Sequence, residues 1–147
     1  MTISTGPGRT LFQFVRFWSR RWTGGPDAAR GRDVMVTEAV ASKGTHGASI
    51  NEIAGELGLD QSGASRMVAD ATRRGYLAKS HGGDARRRVV VVTPQGHRLI
   101  AQAHRWQEDV FAELADGWSA REIETITLLM QRLYHAGQKM QAAGDAD

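Results

Sequence analysis

Apolar residues recur along this chain at helical spacing, and most of these runs are closed by residues that start or stop helices. Leu11, Val15, Trp18 and Trp22 fall at i, i+4, i+7 and i+11, which predicts a helix from about Thr10 to Trp22. Gly24-Gly25-Pro26 ends it, and the Gly-Pro-Gly stretch before it reads as a loose tail. A second helix, from about Ala28 or later to Ser42, turns Val36, Ala39 and Val40 inward. Ser49-Ile50-Asn51-Glu52 is a capping box, in which the Ser side chain and the Glu side chain reciprocally satisfy free amides. Ile50, Ile53, Ala54 and Leu57 then share a face, and Gly58 followed by Leu59 suits a left-handed helix end.

Asp60 is a good N-cap for the next helix. There Ala64, Met67, Val68 and Ala71 point one way. Ser62, Ser65, Arg66, Ala69 and Arg73 point the other, because successive residues turn by about 100°. The outward face is small at its start and basic along its length, and Gly75 is the expected stop. Tyr76 to Ser80 reads as a short strand, His81 to Ala85 as a turn, and Arg86-Arg87-Arg88 leads into the β-branched strand Val89 to Val92. Thr93-Pro94 opens another helix, with Thr as N-cap and Pro in the first helical position. Helix, tight turn, helix and a basic hairpin make a winged helix-turn-helix. The fold class expected is mainly α with a small antiparallel β-wing. Such a shape places its second helix in a major groove and its hairpin in an adjacent groove.

The rest of the chain is helical and striped. Leu99, Ala103, Trp106, Val110 and Leu114 form one stripe. After Trp118, Ser119-Ala120-Arg121-Glu122 is a second capping box. Ile123, Ile126, Met130, Leu133, Gly137 and Met140 follow at alternating three- and four-residue steps, a heptad-like pattern suited to packing on another helix. Residues 10–30 and 98–147 are therefore expected to be dimerisation helices around a DNA-binding lobe at 31–97, with residues 1–9 a flexible tail. An intrachain helical hairpin is the other arrangement such stripes allow.

Charge sharpens this picture. The formal net charge is only +3, but residues 60–98 carry eight basic and three acidic side chains. Residues 99–147 carry four basic and eight acidic ones. A basic middle beside an acidic end points to a polyanion partner for the middle alone. Cysteine is absent, which excludes disulfides and thiolate metal sites. The five histidines (His46, His81, His97, His104 and His135) form no metal motif. No phosphate-binding loop, nucleophile elbow or His-Glu-x-x-His pattern is present, so no enzyme, no metal and no cofactor are expected. No apolar run approaches the roughly 20 residues of a membrane span. Nor does an apolar signal core follow Met1, so a cytoplasmic location without membrane attachment is expected.

The segment Ser49 to Gly96 resembles the MarR family, the multiple-antibiotic-resistance regulators of bacteria. The family's wing reads Asp-x-Arg, several residues, then Leu-Thr-x-x-Gly. Here Asp84-Ala85-Arg86 is followed in register by Val92-Thr93-Pro94-Gln95-Gly96, with Val92 in place of the usual Leu. Small polar residues followed by Arg match at Ser62, Ser65 and Arg66, while Gly63 stands where a β-branched or polar residue is commoner. The flanking helices match in order and length. The resemblance implies a homodimer bound to a pseudo-palindromic operator in double-stranded DNA, repressing transcription by occupancy. Two-fold symmetry would place its two recognition helices roughly 34–36 Å apart.

Gln61, Ser62, Gly63, Ser65 and Arg66 would lie at the bases, and Arg73 and Lys79 at phosphates. Arg86, Arg87 and Arg88 would engage the minor groove and backbone, with Asp84 pairing to Arg86 to fix the turn. The family also implies a small aromatic or amphipathic effector, for which Phe14, Trp18, Trp22, Met35 and Trp106 are candidate lining residues. The same aromatic spacing is equally that of ordinary core. Two other functions fit the pattern: a winged-helix module that binds protein, and a small-ligand-binding protein without DNA specificity.

Overall fold

The structure is a computed structural model and describes residues 6–22, 27–81 and 88–146. In chain order the described elements are helices α1 (Pro7–Trp22), α2 (Asp27–Ala41), α3 (Ile50–Leu57) and α4 (Gln61–Arg73), strands β1 (Leu77–His81) and β2 (Arg88–Val92), then helices α5 (Pro94–Leu114) and α6 (Ala120–Gly144). The fold is mainly helical with a small antiparallel wing, as the sequence predicts. The chain forms two compact units, Met1–His104 and Arg105–Asp147.

In the first unit α2, α3 and α4 enclose a core of Val36, Val40, Ile53, Val68, Leu77 and Val90, filled in by alanines. Ala48, Ala64 and Ala71 have no exposed surface at all, so neighbouring backbones lie close. Val36, Ala39 and Val40 face inward as their spacing predicts. β1 and β2 pair antiparallel, with Leu77 opposite Val92 and His81 opposite Arg88. Ala48 adds a one-residue bridge to the sheet: its N–H donates to the Val90 carbonyl at 2.9 Å and its carbonyl accepts from the Val90 N–H at 2.8 Å. The bridge carries the chain from α2 into α3 along the edge of the wing.

Element boundaries differ from the sequence reading in α1, α2 and β1, and β2 begins one residue early, at Arg88. Helix α1 starts at Pro7, not Thr10, because proline is suited to a first helical turn and the Gly6 carbonyl accepts from the Thr10 N–H at 3.1 Å. Helix α2 starts at Asp27 and ends at Ala41. Strand β1 is shifted one residue, to Leu77–His81, because Tyr76 belongs to the turn that closes α4: its N–H donates to the Ala71 carbonyl at 2.9 Å. The remaining punctuation holds. Gly58 takes a left-handed conformation (φ 65°, ψ 33°), and the Leu59 N–H reaches back to the Ala54 carbonyl at 3.0 Å.

In the second unit, a turn through Gly117 leads to the Ser119 capping box, both of whose hydrogen bonds form. Phe111 and Trp118 meet edge to face, with ring centroids 6.2 Å apart. Ala115 is buried, whereas Leu129, Met130, Leu133 and Tyr134 are about half exposed. No described helix is long and apolar enough to cross a membrane.

A methyl group at Gly96 would sit on the carbonyl oxygen of Tyr76, well inside contact distance. Gly96→Ala is therefore expected to destabilise the protein by about 1–3 kcal/mol. Gly55→Ala, in a helix interior with open space around it, should instead stabilise by about 0.5–1 kcal/mol. Urea denaturation of the two variants checks both signs.

Candidate nucleic-acid interface

Helix α4 presents the candidate surface, and each of its ends is held by polar contacts. At its start Asp60 is extended and its carboxylate accepts from the Gly63 N–H at 2.7 Å. That bond satisfies an amide with no partner inside the helix. It also explains the glycine: a Cβ at Gly63 would press on the same carboxylate oxygen at 2.8 Å. Along the helix Ala64, Val68 and Ala71 are buried and Met67 packs partly against the core. Ser62, Ser65, Arg66, Ala69 and Arg73 are exposed, as is Gln61. The structure thus brings the predicted small and basic positions onto one open face. Among the described residues Arg66 has no carboxylate partner, whereas Arg73 is paired with Asp70 one turn earlier.

At its end α4 meets two other elements. The Thr93 hydroxyl donates to the Gly75 carbonyl at 2.6 Å and accepts from the Gly96 N–H at 3.0 Å. The Thr93 N–H donates to the Tyr76 carbonyl at 3.1 Å. One residue therefore caps α5 and also ties its first turn to the exit of α4. The spacing of Val92-Thr93-Pro94-Gln95-Gly96 has this physical content: threonine makes the cap, and glycine leaves room for the Tyr76 carbonyl.

The second tie is an ion pair that the sequence reading missed. Arg74 donates from Nε and Nη2 to the two carboxylate oxygens of Asp33 on α2, at 2.6 and 2.7 Å. Asp33 is almost wholly buried, and the Arg74 side chain is partly exposed. The hydrogen bonds to Asp33, and then the charges of Asp33 and Asp70, raise the Arg74 pKa above the ordinary arginine value against an opposing effect of burial. A raised pKa contributes its stability at all pH values below that of unfolded arginine and loses it only as pH climbs past the folded value. Near neutrality, Arg74 therefore stays charged. A signal for the pair lies in the sequence. Asp33 falls on the stripe of Val36, Thr37 and Val40, and a carboxylate on a buried stripe needs a partner.

The wing contributes Lys79 on β1 and Arg88 on β2, both exposed. Asp84, Arg86 and Arg87, the predicted tip, lie outside the described residues. Of the predicted effector residues, Phe14 and Met35 are about half exposed and Trp18 partly buried in the first unit. Trp106, also exposed, belongs to the second unit, and the side chain of Trp22 is outside the described set. His104 pairs with Glu38. No group of three or more potential metal ligands occurs among the described residues.

No protein-family model and no curated protein sequence matches the chain. Solved structures do. Wild-type MarR from E. coli superposes with a TM-score of 0.69 over 90% of this chain and 98% of that one, at 19% identity. A MarR family transcriptional regulator from Silicibacter pomeroyi gives 0.69 over 92% and 91%, at 18% identity. BpsR of Bordetella bronchiseptica, whose DNA binding is regulated by 6-hydroxynicotinic acid, gives 0.62 over 90% and 97%, at 20% identity.

Replacing Asp60 by Ala removes the α4 cap without touching the core. A loss of about 1 kcal/mol in unfolding free energy is expected, measured in urea, with no change in far-ultraviolet helix content below the transition. An unaltered midpoint would mean the cap is idle.

Proposed function

We propose that this chain, which has the winged-helix fold of MarR-family transcriptional regulators, is itself a sequence-specific DNA-binding regulator. Its most consistent mode is repression by occupancy, as a homodimer on a pseudo-palindromic operator. The observation that carries this reading is the open face of α4. Ser62, Ser65 and Ala69 are short enough to let the helix approach base edges, and Arg66 is the long donor among them. An unpaired arginine on such a face suits guanine, which offers two acceptors in the major groove. Gln61, exposed at the start of α4, would join the base contacts. Arg73 and Lys79 suit phosphates, and Arg73 needs only to leave Asp70, since an exposed pair holds it by about 0–1 kcal/mol. Arg86, Arg87 and Arg88 would place the wing in the minor groove.

Dimerisation is supported by apolar surface that the single chain leaves uncovered. Leu128, Leu129, Met130 and Leu133 on α6, and Phe12, Phe14 and Phe17 on α1, are all exposed by 45% or more. An effector has two candidate surfaces. Phe14, Trp18 and Met35 offer an aromatic surface in the first unit. Arg30 and Arg98 line a cleft of about 440 Å³ beside α4, in which Asp33 and Arg74 are paired with each other, and the remaining positive charge suits an acidic molecule.

Selection of duplexes from a random pool tests the reading. The wild-type protein should enrich an inverted repeat and bind it with affinity that falls steeply with salt. Arg66→Ala should relax discrimination at one base of each half-site by about 1–3 kcal/mol while binding to scrambled duplex changes little. Equal weakening on both duplexes would reassign Arg66 to a phosphate. A protein that is monomeric by analytical ultracentrifugation and binds no duplex at low salt would favour a protein-binding or ligand-binding module instead.

A further inference from the structure

We propose, on the reading that α4 enters DNA, that Asp33 is a positioning residue for sequence discrimination: acting through Arg74, it sets the angle at which α4 presents Ser62, Ser65 and Arg66. Asp33 lies on another helix, 41 residues away in sequence, and its carboxylate points into the protein. Among the described residues it is the one buried side chain that carries charge. Stability alone does not call for a carboxylate there, because well-packed apolar side chains serve as well as a buried ion pair.

Geometry does call for it. The buried face of α4 consists of Ala64, Val68 and Ala71, whose contacts are small and non-directional. Such a face sets the distance between helices but leaves tilt and slide weakly fixed. Two parallel N–H···O bonds from one guanidinium to one carboxylate fix distance and direction together. They act at the residue that follows the last turn of α4. The helix of 13 residues is roughly 20 Å long, so a tilt of about 10° at this end moves the other by roughly 3 Å. That exceeds the tolerance of a hydrogen bond to a base edge. Thr93 holds the same end from α5, but through the backbone of Gly75 and Tyr76 beyond the last turn of α4, which leaves the direction of the helix axis to the ion pair.

The test compares wild type, Arg74→Lys, Asp33→Asn and the double variant Asp33→Leu/Arg74→Met. The probes are the duplex that wild type selects from a random pool and a scrambled duplex of the same length, read by fluorescence anisotropy at fixed salt. Thermal denaturation of each protein runs beside it. Arg74→Lys keeps the charge but cannot make the fork. It should bind scrambled duplex like wild type and lose at least about tenfold in the ratio of selected to scrambled affinity, the worth of one good base contact. Asp33→Asn should lose the ratio and the thermal midpoint together. The double variant should recover the midpoint and not the ratio, a result that a purely structural role would not give.

A wild-type ratio in Arg74→Lys, or in the folded double variant, overturns the proposal while leaving DNA binding in place. If Asp33→Asn or the double variant does not fold, Arg74→Lys decides alone. A wild-type protein that selects no duplex overturns the DNA-binding reading itself, and this inference with it.

Discussion

The exit of α4 is where three elements must cross without leaving a buried polar group unpaired. The last carbonyls of α4 accept from the N–H groups of Arg74, Gly75 and Tyr76, and the carbonyls of Gly75 and Tyr76 must then find partners where β1 leaves and α5 starts alongside. The Gly75 carbonyl takes the Thr93 hydroxyl and the Tyr76 carbonyl takes the Thr93 N–H. The crossing closes because Gly96 has no side chain to fill the space between strand and helix. A single threonine thus pairs the carbonyls of the turn that follows α4 and caps the start of α5. It ties the start of the wing to the end of α4, and the Asp33–Arg74 pair ties that end to α2. On the proposed reading, a helix at base edges and a hairpin in the next groove are useful only if they arrive in fixed relation.

The core behind this crossing is small. Its largest fully buried side chains are Ile53, Leu77, Val36 and Val40, with no aromatic ring among them. Each such side chain contributes about 1.5–3 kcal/mol on burial, against about 1–2 kcal/mol for fixing each residue's backbone. Local devices therefore matter. Ser49, Asp60, Thr93 and Ser119 each accept from an amide of a first helical turn. At about 1 kcal/mol apiece they are a sizeable part of the roughly 5–15 kcal/mol by which a domain is stable. Alanine does the rest: Ala64 and Ala71 let α4 approach so closely that its outer face stands clear of its neighbours.

These local devices are also why so much of the fold is legible in sequence. A capping box, a left-handed glycine followed by leucine, and Thr-Pro before a helix each act within a few residues, so each can be read from a few residues. The outward face of α4 followed from helical geometry alone. What escaped reading depends on distance along the chain. The Ala48–Val90 bridge and the Asp33–Arg74 pair join residues about 40 positions apart, and no local pattern names the partner. For Asp33 half of the message was present, a charge on an apolar stripe, but not where its counter-ion lay. The start of α1 was lost differently: Gly6-Pro7-Gly8 looks like a breaker, yet proline within a first turn gives up no hydrogen bond.

The second unit poses the opposite problem, helices with almost no interior. Among its described residues Ala115 is the buried apolar one, and the stripe of α6 is exposed except at the partly buried Ile126. An isolated helix of this kind is marginal in water, because nucleation is costly and propensity alone offers little. Its capping box and the Phe111–Trp118 contact help at one end only. Order along the remaining turns of α6 therefore calls for apolar surface that unit 2 does not itself supply. On the proposed reading a second copy supplies it, and then folding of this region depends on protein concentration. The same linkage would bear on DNA. A lobe that binds alone pays the entropy of association for one half-site, while a dimer binds the second half-site as an intramolecular event. On that reading a small-faced helix with few base contacts gains most from the arrangement, and the modest surface of α4 and the uncovered stripe of α6 would serve one design.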